Sequence, residues 1–123
     1  RVPHSEVNDW YSLIDIAPFP RKSLPVTELV SPLKPFEALA MEKAVVVSSV
    51  GGMQELIEDD QTGLVFAKDD IGALTSVLDR VLSDQALRTR LGAAGRAWII
   101  NARNWHHSAQ AMATKISAVM SGR

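Results

Sequence analysis

Residues 31–57 read SPLKPFEALAMEKAVVVSSVGGMQELI and predict, in order, a constrained loop, a helix, a buried strand and a glycine turn into a second helix. Prolines disfavour helical geometry in the residues before them, so the first helix is predicted to begin at Pro35 with Lys34 at its cap. A lysine cannot accept hydrogen bonds from the free amides of that helix end, and its charge opposes the helix dipole. We therefore expect an anion there, and phosphate is the most common guest.

Glu37 allows a second interpretation of the same helix start. It falls at the third helical position, where a carboxylate is common for capping and dipole reasons alone. The local pattern leaves both interpretations open, and the elements that follow favour a ligand site. Residues 44–47 suit a strand buried on both faces, and Gly51 and Gly52 then let backbone approach a ligand at the carboxyl edge of a parallel sheet.

The other segments continue an alternation of strands and helices that is typical of a doubly wound parallel sheet. Their apolar stripes recur at helical spacing and are predicted to be core. The predicted elements are a helix over 5–13 capped by Ser5, a strand over 15–18, a loop over 19–30, a helix over 53–57, a strand over 64–67, a helix capped by Asp69 or Asp70, a helix capped by Ser83, and a final helix with a stripe of Trp105, Ala109, Met112, Ile116 and Met120.

Composition excludes several classes of function. A chain of 123 residues with 46% hydrophobic residues can bury a real core. Its net charge of −1, with both signs mixed, gives no basic stripe for nucleic acid. Zero cysteines exclude disulfides and thiolate metal sites, and His4, His106 and His107 lack the carboxylate spacing of a metal site. No apolar run approaches the length needed to span a bilayer, and no metal is predicted.

Three collinear segments resemble the GT4-like group of retaining GT-B nucleotide-sugar glycosyltransferases, the glycosyl transferases group 1. These segments are VPHSEVNDWYSLIDIAPFP (2–20), PLKPFEALAM (32–41) and VSSVGGMQELIEDDQTGLVF (47–66), and the likeness continues through the helices to near Trp105. The run TELVSPLKPFEALAMEK (27–43) also resembles a subgroup associated with bacterial exopolysaccharide assembly.

The resemblance implies an α/β fold, with a Rossmann-like parallel sheet and flanking helices. It implies that residues 1–123 are the C-terminal part of the nucleotide-sugar-binding domain of a GT-B glycosyltransferase, including the final helices. By the same resemblance, the N-terminal acceptor domain is absent and this fragment alone is inactive. Part of the stripe on the final helix is then expected to contact that missing domain.

By resemblance, the intact enzyme transfers a sugar from a nucleotide diphosphate sugar, with retention of configuration, and needs no further cofactor. The implied acceptor is a glycan or a lipid-linked sugar, and the implied location is cytoplasmic, with peripheral association at the inner face of the membrane. Two alternatives stay open: a nucleotide-sugar epimerase of the same fold, and a noncatalytic nucleotide-binding module.

The resemblance also assigns site residues. In the family a pair of glutamates brackets the donor loop, the second contacting the nucleotide ribose and the first the transferred sugar. Glu37 matches the second, whereas the first falls on Leu29, with Glu28 one residue further out. The implied catalytic residues are Glu28 and Lys34, and the implied donor-binding residues are Ser31, Pro32, Leu33, Lys34, Glu37, Gly51 and Gly52.

Three positions depart from the family pattern. Pro32 stands where the family loop often carries glycine, so one phosphate-binding amide is lost and neighbouring groups must compensate. Glu42 and Asp60 stand where the family usually has glycine, which puts the local turns in question but not the fold.

Overall fold

The computed structural model describes residues 2–102 and 105–122, and a parallel three-stranded sheet lies at the centre of this part of the chain. The elements in chain order are a 3-10 turn (His4–Glu6), α1 (Val7–Ser12), β1 (Ile16–Phe19), α2 (Pro25–Leu29), α3 (Lys34–Ala40), β2 (Ala44–Ser48), α4 (Gly51–Gln54), β3 (Leu64–Phe66), α5 (Ile71–Ser83), α6 (Gln85–Ala102) and α7 (Trp105–Ser121).

The middle strand, β2, organises the sheet. It pairs with β1 in a register that puts Ile16 opposite Ala44, and with β3 in a register that puts Val46 opposite Leu64. All five of its residues are buried, because helices cover both faces of the sheet. The expected parallel α/β sheet is thus confirmed.

Alternate side chains of β2 enter two separate cores. Val45 and Val47 pack with Leu39 of α3 and Met53 of α4, while Ala44 and Val46 pack with Val81 of α5 and Leu91 of α6. This division follows from the two-residue period of a strand, which sends neighbouring side chains to opposite faces. Burying each large aliphatic side chain stabilises the fold by about 1.5 to 3 kcal/mol.

Asp70 caps α5, as one of the two predicted alternatives proposed, because its Oδ1 accepts a hydrogen bond from the Ala73 amide at 2.9 Å. The predicted cap of α6 at Ser83 is wrong. Asp84 takes that role, accepting from the Leu87 amide at 2.8 Å, while the Ser83 hydroxyl donates to the Asp79 carbonyl one turn earlier. Helix α5 extends through Ser83, so its side chain bonds within α5 instead of starting α6.

The segment predicted as a loop over 19–30 contains helix α2, which is a correction. Pro25 supplies a first helical residue, and the Thr27 hydroxyl accepts from the Leu24 amide at 3.0 Å, which holds the helix start together. Other boundaries also differ from prediction. Helix α4 spans Gly51–Gln54 instead of 53–57, and α1 begins after a 3-10 turn with no side-chain cap from Ser5. Strand β1 spans Ile16–Phe19 instead of 15–18, and β3 spans Leu64–Phe66 instead of 64–67.

Helix α7 carries the predicted apolar stripe on its surface. Met112, Ile116 and Met120 are all exposed. The side chains of Trp105 and His107 lie outside the described part of the chain, so the stripe's first member has no structural account. A contact of this helix with another domain stays a prediction. No helix among the described residues has the length and apolarity needed to cross a membrane.

Glu42 ends α3 in a left-handed conformation with φ of 57°. The Glu42 amide donates to the Leu39 carbonyl and the Lys43 amide to the Ala38 carbonyl, both at 3.0 Å, which is the Schellman arrangement that usually takes glycine. Asp60, the other departure from the family's glycines, has φ of 58°. The chain therefore keeps both turns without glycine.

We predict that Glu42→Gly stabilises the chain, by up to about 1 kcal/mol, because a left-handed residue with a Cβ costs roughly that much. Urea unfolding followed by circular dichroism measures the change. Glu42→Ala keeps the Cβ and should leave stability within about 0.5 kcal/mol of the parent. A loss of stability in Glu42→Gly would show that the turn is unstrained.

Candidate functional site

Three loops meet at the carboxyl edge of the sheet, one after each strand. Ser48, at the end of β2, is fully buried, and its hydroxyl donates to the Arg21 carbonyl at 2.8 Å and accepts from the Arg21 amide at 3.0 Å. This pair of bonds fixes the loop after β1 against the middle strand. Because parallel strands bring their carboxyl ends together, this edge is where such sheets bind ligands.

Glu28, on α2, joins all three loops. Its Oε2 accepts from the Gly51 amide at 2.8 Å, and its Oε1 accepts from the Ser23 hydroxyl and from Lys68 Nζ, both at 2.6 Å. The hydrogen bond from Lys68, followed by those from Ser23 and Gly51, lowers the pKa of Glu28 from 4.5 to about 2. The stabilisation from this carboxylate is therefore present above pH 4.5 and is lost as the pH falls towards 2.

The glycine pair faces protein backbone. A Cβ placed on Gly51 would lie 2.5 Å from the Glu28 carbonyl oxygen, and one on Gly52 would lie 2.3 Å from the Val30 carbonyl oxygen. The backbone around α2 therefore occupies the space that these glycines leave open. The Gly51 amide donates its hydrogen bond to Glu28. Their predicted contact with a ligand stays a prediction.

The start of α3 differs from the expected geometry by one residue. Lys34 is the first helical residue and Leu33 is the cap, whose carbonyl accepts from the Phe36 amide at 3.0 Å and from the Glu37 amide at 3.4 Å. The sequence had suggested that the amides of Phe36 and Glu37 are free, and this prediction is wrong. The amides of Leu33 and Lys34 make no hydrogen bond within the described residues, as is usual for a first helical turn.

The Glu37 carboxylate does not cap its helix in the described structure. It accepts a hydrogen bond from the Tyr11 hydroxyl at 3.4 Å, which places α1 beside the start of α3. Burial raises the pKa of Tyr11, and the negative charge of Glu37 adds to the rise. Glu37 is exposed, as is Lys34, whose ammonium group has no partner among the described side chains.

The rest of the predicted donor loop lies between these two anchors. The Ser31 hydroxyl bonds to Glu55 Oε2 at 3.1 Å, which ties the loop to the residue that follows α4. Pro32 offers no amide, and Leu33 is 72% exposed. The structure thus places these residues in one loop and helix start beside α4, with Ser31 and Pro32 half-buried and the later positions, Leu33, Lys34 and Glu37, exposed.

Lys68 and Ser23 were not predicted to lie at the site, and Asp69 was predicted only as a candidate helix cap. The Ser23 amide donates to both carboxylate oxygens of Asp69 at 3.3 Å, and Asp69 has a left-handed φ of 60°. A usable signal existed, because Lys68 and Asp69 come two and three residues after β3 and so had to reach the same sheet edge as Gly51.

A cavity of about 330 Å³ opens between the loop after β1 and the start of α5. Its lining includes the basic pair Arg21 and Lys22, the aromatic ring of Phe66, and Asp70 and Leu74 of the α5 region. Among the described residues, no three histidine, aspartate or glutamate side chains lie close enough to hold a metal ion.

Comparison with known proteins identifies relatives for most of the chain. The model of the family described as Glycosyl transferases group 1 matches residues 1–98. The lipopolysaccharide core biosynthesis mannosyltransferase LpsB of Rhizobium meliloti is 32% identical over 93 residues, covering 74% of this chain and 24% of that protein. The D-inositol 3-phosphate glycosyltransferase of Xylanimonas cellulosilytica is 30% identical over 111 residues, covering 90% and 25%. The chain spans about a quarter of the length of these relatives.

Solved structures share the fold. Sucrose-phosphate synthase from Thermosynechococcus elongatus superposes with a TM-score of 0.83 at 27% identity, covering 100% of this chain and 30% of that one. Anabaena HepE, solved in complex with UDP, superposes with a TM-score of 0.79 at 16% identity, covering 89% of this chain and 29% of that one. At that identity the likeness to HepE concerns the fold alone.

Proposed function

This chain belongs to the glycosyl transferases group 1, and from that membership we propose that it forms the donor-binding part of an enzyme that transfers a sugar from a nucleotide diphosphate sugar. Its sheet and flanking helices are those of GT-B glycosyltransferase structures. The relatives that match are transferases, so an epimerase of the same fold is not favoured.

The observation that carries the proposal is the start of α3. The amides of Leu33 and Lys34 have no partner in the described structure, and the side chain of Lys34 is exposed at the same helix start. A diphosphate supplies the acceptors and the negative charge that such an end lacks. Glu37 follows on the same helix and can accept hydrogen bonds from the ribose hydroxyls.

The proposed chemistry follows from the charge of the leaving group. As the bond between sugar and diphosphate breaks, negative charge grows on the phosphate oxygen, and a positive, oriented environment lowers that barrier. Lys34 and the first amides of α3 provide it here. Glu28 stays the proposed contact for the transferred sugar, because Oε2 accepts one hydrogen bond, from the Gly51 amide, and keeps a second acceptor site.

The finer parts of the proposal rest on family membership. We propose retention of configuration at the transferred sugar, no further cofactor, and an acceptor that is a glycan or a lipid-linked sugar. That acceptor is bound by a separate N-terminal domain. We further propose a cytoplasmic enzyme at the inner face of the membrane. One matched relative is a mannosyltransferase of lipopolysaccharide core biosynthesis, which supports an acceptor of that class.

Titration of the chain with UDP, GDP and ADP, each followed by amide NMR, tests the proposal. Saturable shifts with one nucleotide, confined to residues 31–37 and 51–54, are expected and would name the base. A well-dispersed spectrum that no nucleotide changes, repeated on the full-length protein with the same result, would refute donor binding at this edge.

We predict that Lys34→Ala weakens binding of the nucleoside diphosphate about fivefold and leaves nucleoside binding almost unchanged, because Lys34 is assigned to the phosphates. Calorimetric titration with the diphosphate and with the free nucleoside measures both affinities. Lys115→Ala, on exposed α7, is the matched control. Equal losses for the two ligands would place Lys34 away from the phosphates.

A further inference from the structure

Lys68 lies outside the donor loop and forms an ion pair with Glu28, which precedes that loop in the chain. We propose that Lys68 is a positioning residue for donor binding: through its ion pair with Glu28 it fixes α2 against α4, and thereby sets the conformation of the donor loop (residues 31–37). This inference rests on the proposed function for its consequence in binding, and on geometry alone for the positioning itself.

The carboxylate of Glu28 accepts hydrogen bonds from three groups. Lys68 Nζ and the Ser23 hydroxyl reach one carboxylate oxygen, and the Gly51 amide reaches the other. Each donor comes from a different loop at the sheet edge. In its present geometry this carboxylate connects the loops, because three donors from different parts of the sheet edge bind it at once.

Helix α2, which carries Glu28, is connected directly to the donor loop. Helix α2 ends at Leu29 and leads through Val30 into the loop. Gly52 leaves room for the Val30 carbonyl oxygen, which would lie only 2.3 Å from a Cβ at that position. The segment from Glu28 to Val30 is therefore pressed against the start of α4, and any shift of Glu28 moves the residues that open the donor loop.

The charges around Glu28 make its ion pair with Lys68 important. Two further carboxylates border this segment: Asp69 accepts from the Ser23 amide, and Glu55 accepts from the Ser31 hydroxyl. Within the described residues Lys68 is the cation that pairs with Glu28. Without it, Glu28 loses the ion pair with Lys68 in a region that holds two other carboxylates, which favours its protonated form and weakens its bond to the Gly51 amide.

The Gly51 amide resonance reports this arrangement directly, because its proton is hydrogen-bonded to Glu28. In the parent chain we expect no titration of this resonance between pH 7 and about 3.5. In Lys68→Met we expect titration to begin within that window, because the midpoint should lie at least about one pH unit higher than in the parent. Lys68→Arg should restore the parent profile, and Lys115→Met should not alter it.

Positioning is tested by the amide resonances of the donor loop. In Lys68→Met, Ser31 and Leu33 should shift along with Gly51, and affinity for the nucleotide that binds the parent should fall about three- to tenfold. If Lys68→Met does not fold, Ser23→Ala removes a neighbouring bond to Glu28 and should raise the Gly51 midpoint by a smaller amount.

The outcomes separate the two proposals. If the parent binds no nucleotide but Gly51 and the donor loop respond to Lys68→Met, the positioning role stands and the proposed function fails. An unchanged Gly51 profile in Lys68→Met overturns the inference. A changed Gly51 profile with an unmoved donor loop also overturns it, because Lys68 is then only a local structural contact.

Discussion

Gly52→Ala is expected to destabilise the chain by about 3 kcal/mol or more. The new Cβ would lie 2.3 Å from the Val30 carbonyl oxygen, 2.7 Å from its carbon and 2.9 Å from the Thr27 carbonyl oxygen. All three atoms are backbone, so relief requires α2 to move away from α4. That movement also breaks the contact between Glu28 and Gly51.

Urea unfolding of the two proteins, with fluorescence and circular dichroism compared for coincidence, measures this loss. Gly72→Ala is the matched control. Its new methyl would have the Asp70 side-chain oxygen as nearest neighbour at 3.3 Å, and that side chain can shift, so stability should stay within about 1 kcal/mol of the parent. Equal behaviour of the two variants would mean that α2 is loosely held against α4.

The sheet could be predicted from sequence because its signals are local. Residues 44–47 form a short β-branched run between a helix and a glycine turn, and that pattern favours a strand buried on both faces. The capping aspartate of α5 is local in the same way, since Asp70 directly precedes the stripe that it caps. Such features need no knowledge of distant residues.

The site was harder to predict because its bonds join distant parts of the chain. Glu28 is 23 residues from Gly51 and 40 from Lys68, and no spacing in the sequence links them. Helix α2 was missed for another reason. It has five residues and a proline at its start, and a helix this short depends on tertiary contacts.

The glycine positions show what the sequence could indicate only in part. Glu42 and Asp60 were recognised as departures from the family, and the structure shows that both adopt the left-handed geometry that the missing glycines would have had. The backbone bonds of the Schellman turn, together with the ion pairs of Asp60 with Arg80 and Arg90 at 3.0 and 2.9 Å, hold those conformations. Turn geometry was thus preserved although the residue type was not.

Glu37→Gln should weaken nucleotide binding by about 1 to 3 kcal/mol, provided that Glu37 contacts the ribose as proposed, because a charge-assisted hydrogen bond becomes a neutral one. The fold should be unaffected, since the exposed carboxylate bonds to Tyr11 at 3.4 Å and to no amide of its own helix among the described residues. Tyr11→Phe is the matched control. It removes that partner and should leave affinity for nucleotide unchanged or slightly raised.

A comparison with the 2′,3′-dideoxynucleotide isolates the contact. The parent should bind the ribonucleotide more tightly than the dideoxynucleotide, and Glu37→Gln should lose most of that preference. The losses of binding free energy from the substitution and from removing the hydroxyls are then not additive. Additive losses would mean that Glu37 acts on the nucleotide at a distance. Unchanged binding in Glu37→Gln would limit the role of this carboxylate to its electrostatic interaction with the helix dipole. A capping bond is already excluded by the geometry of the described part of the chain.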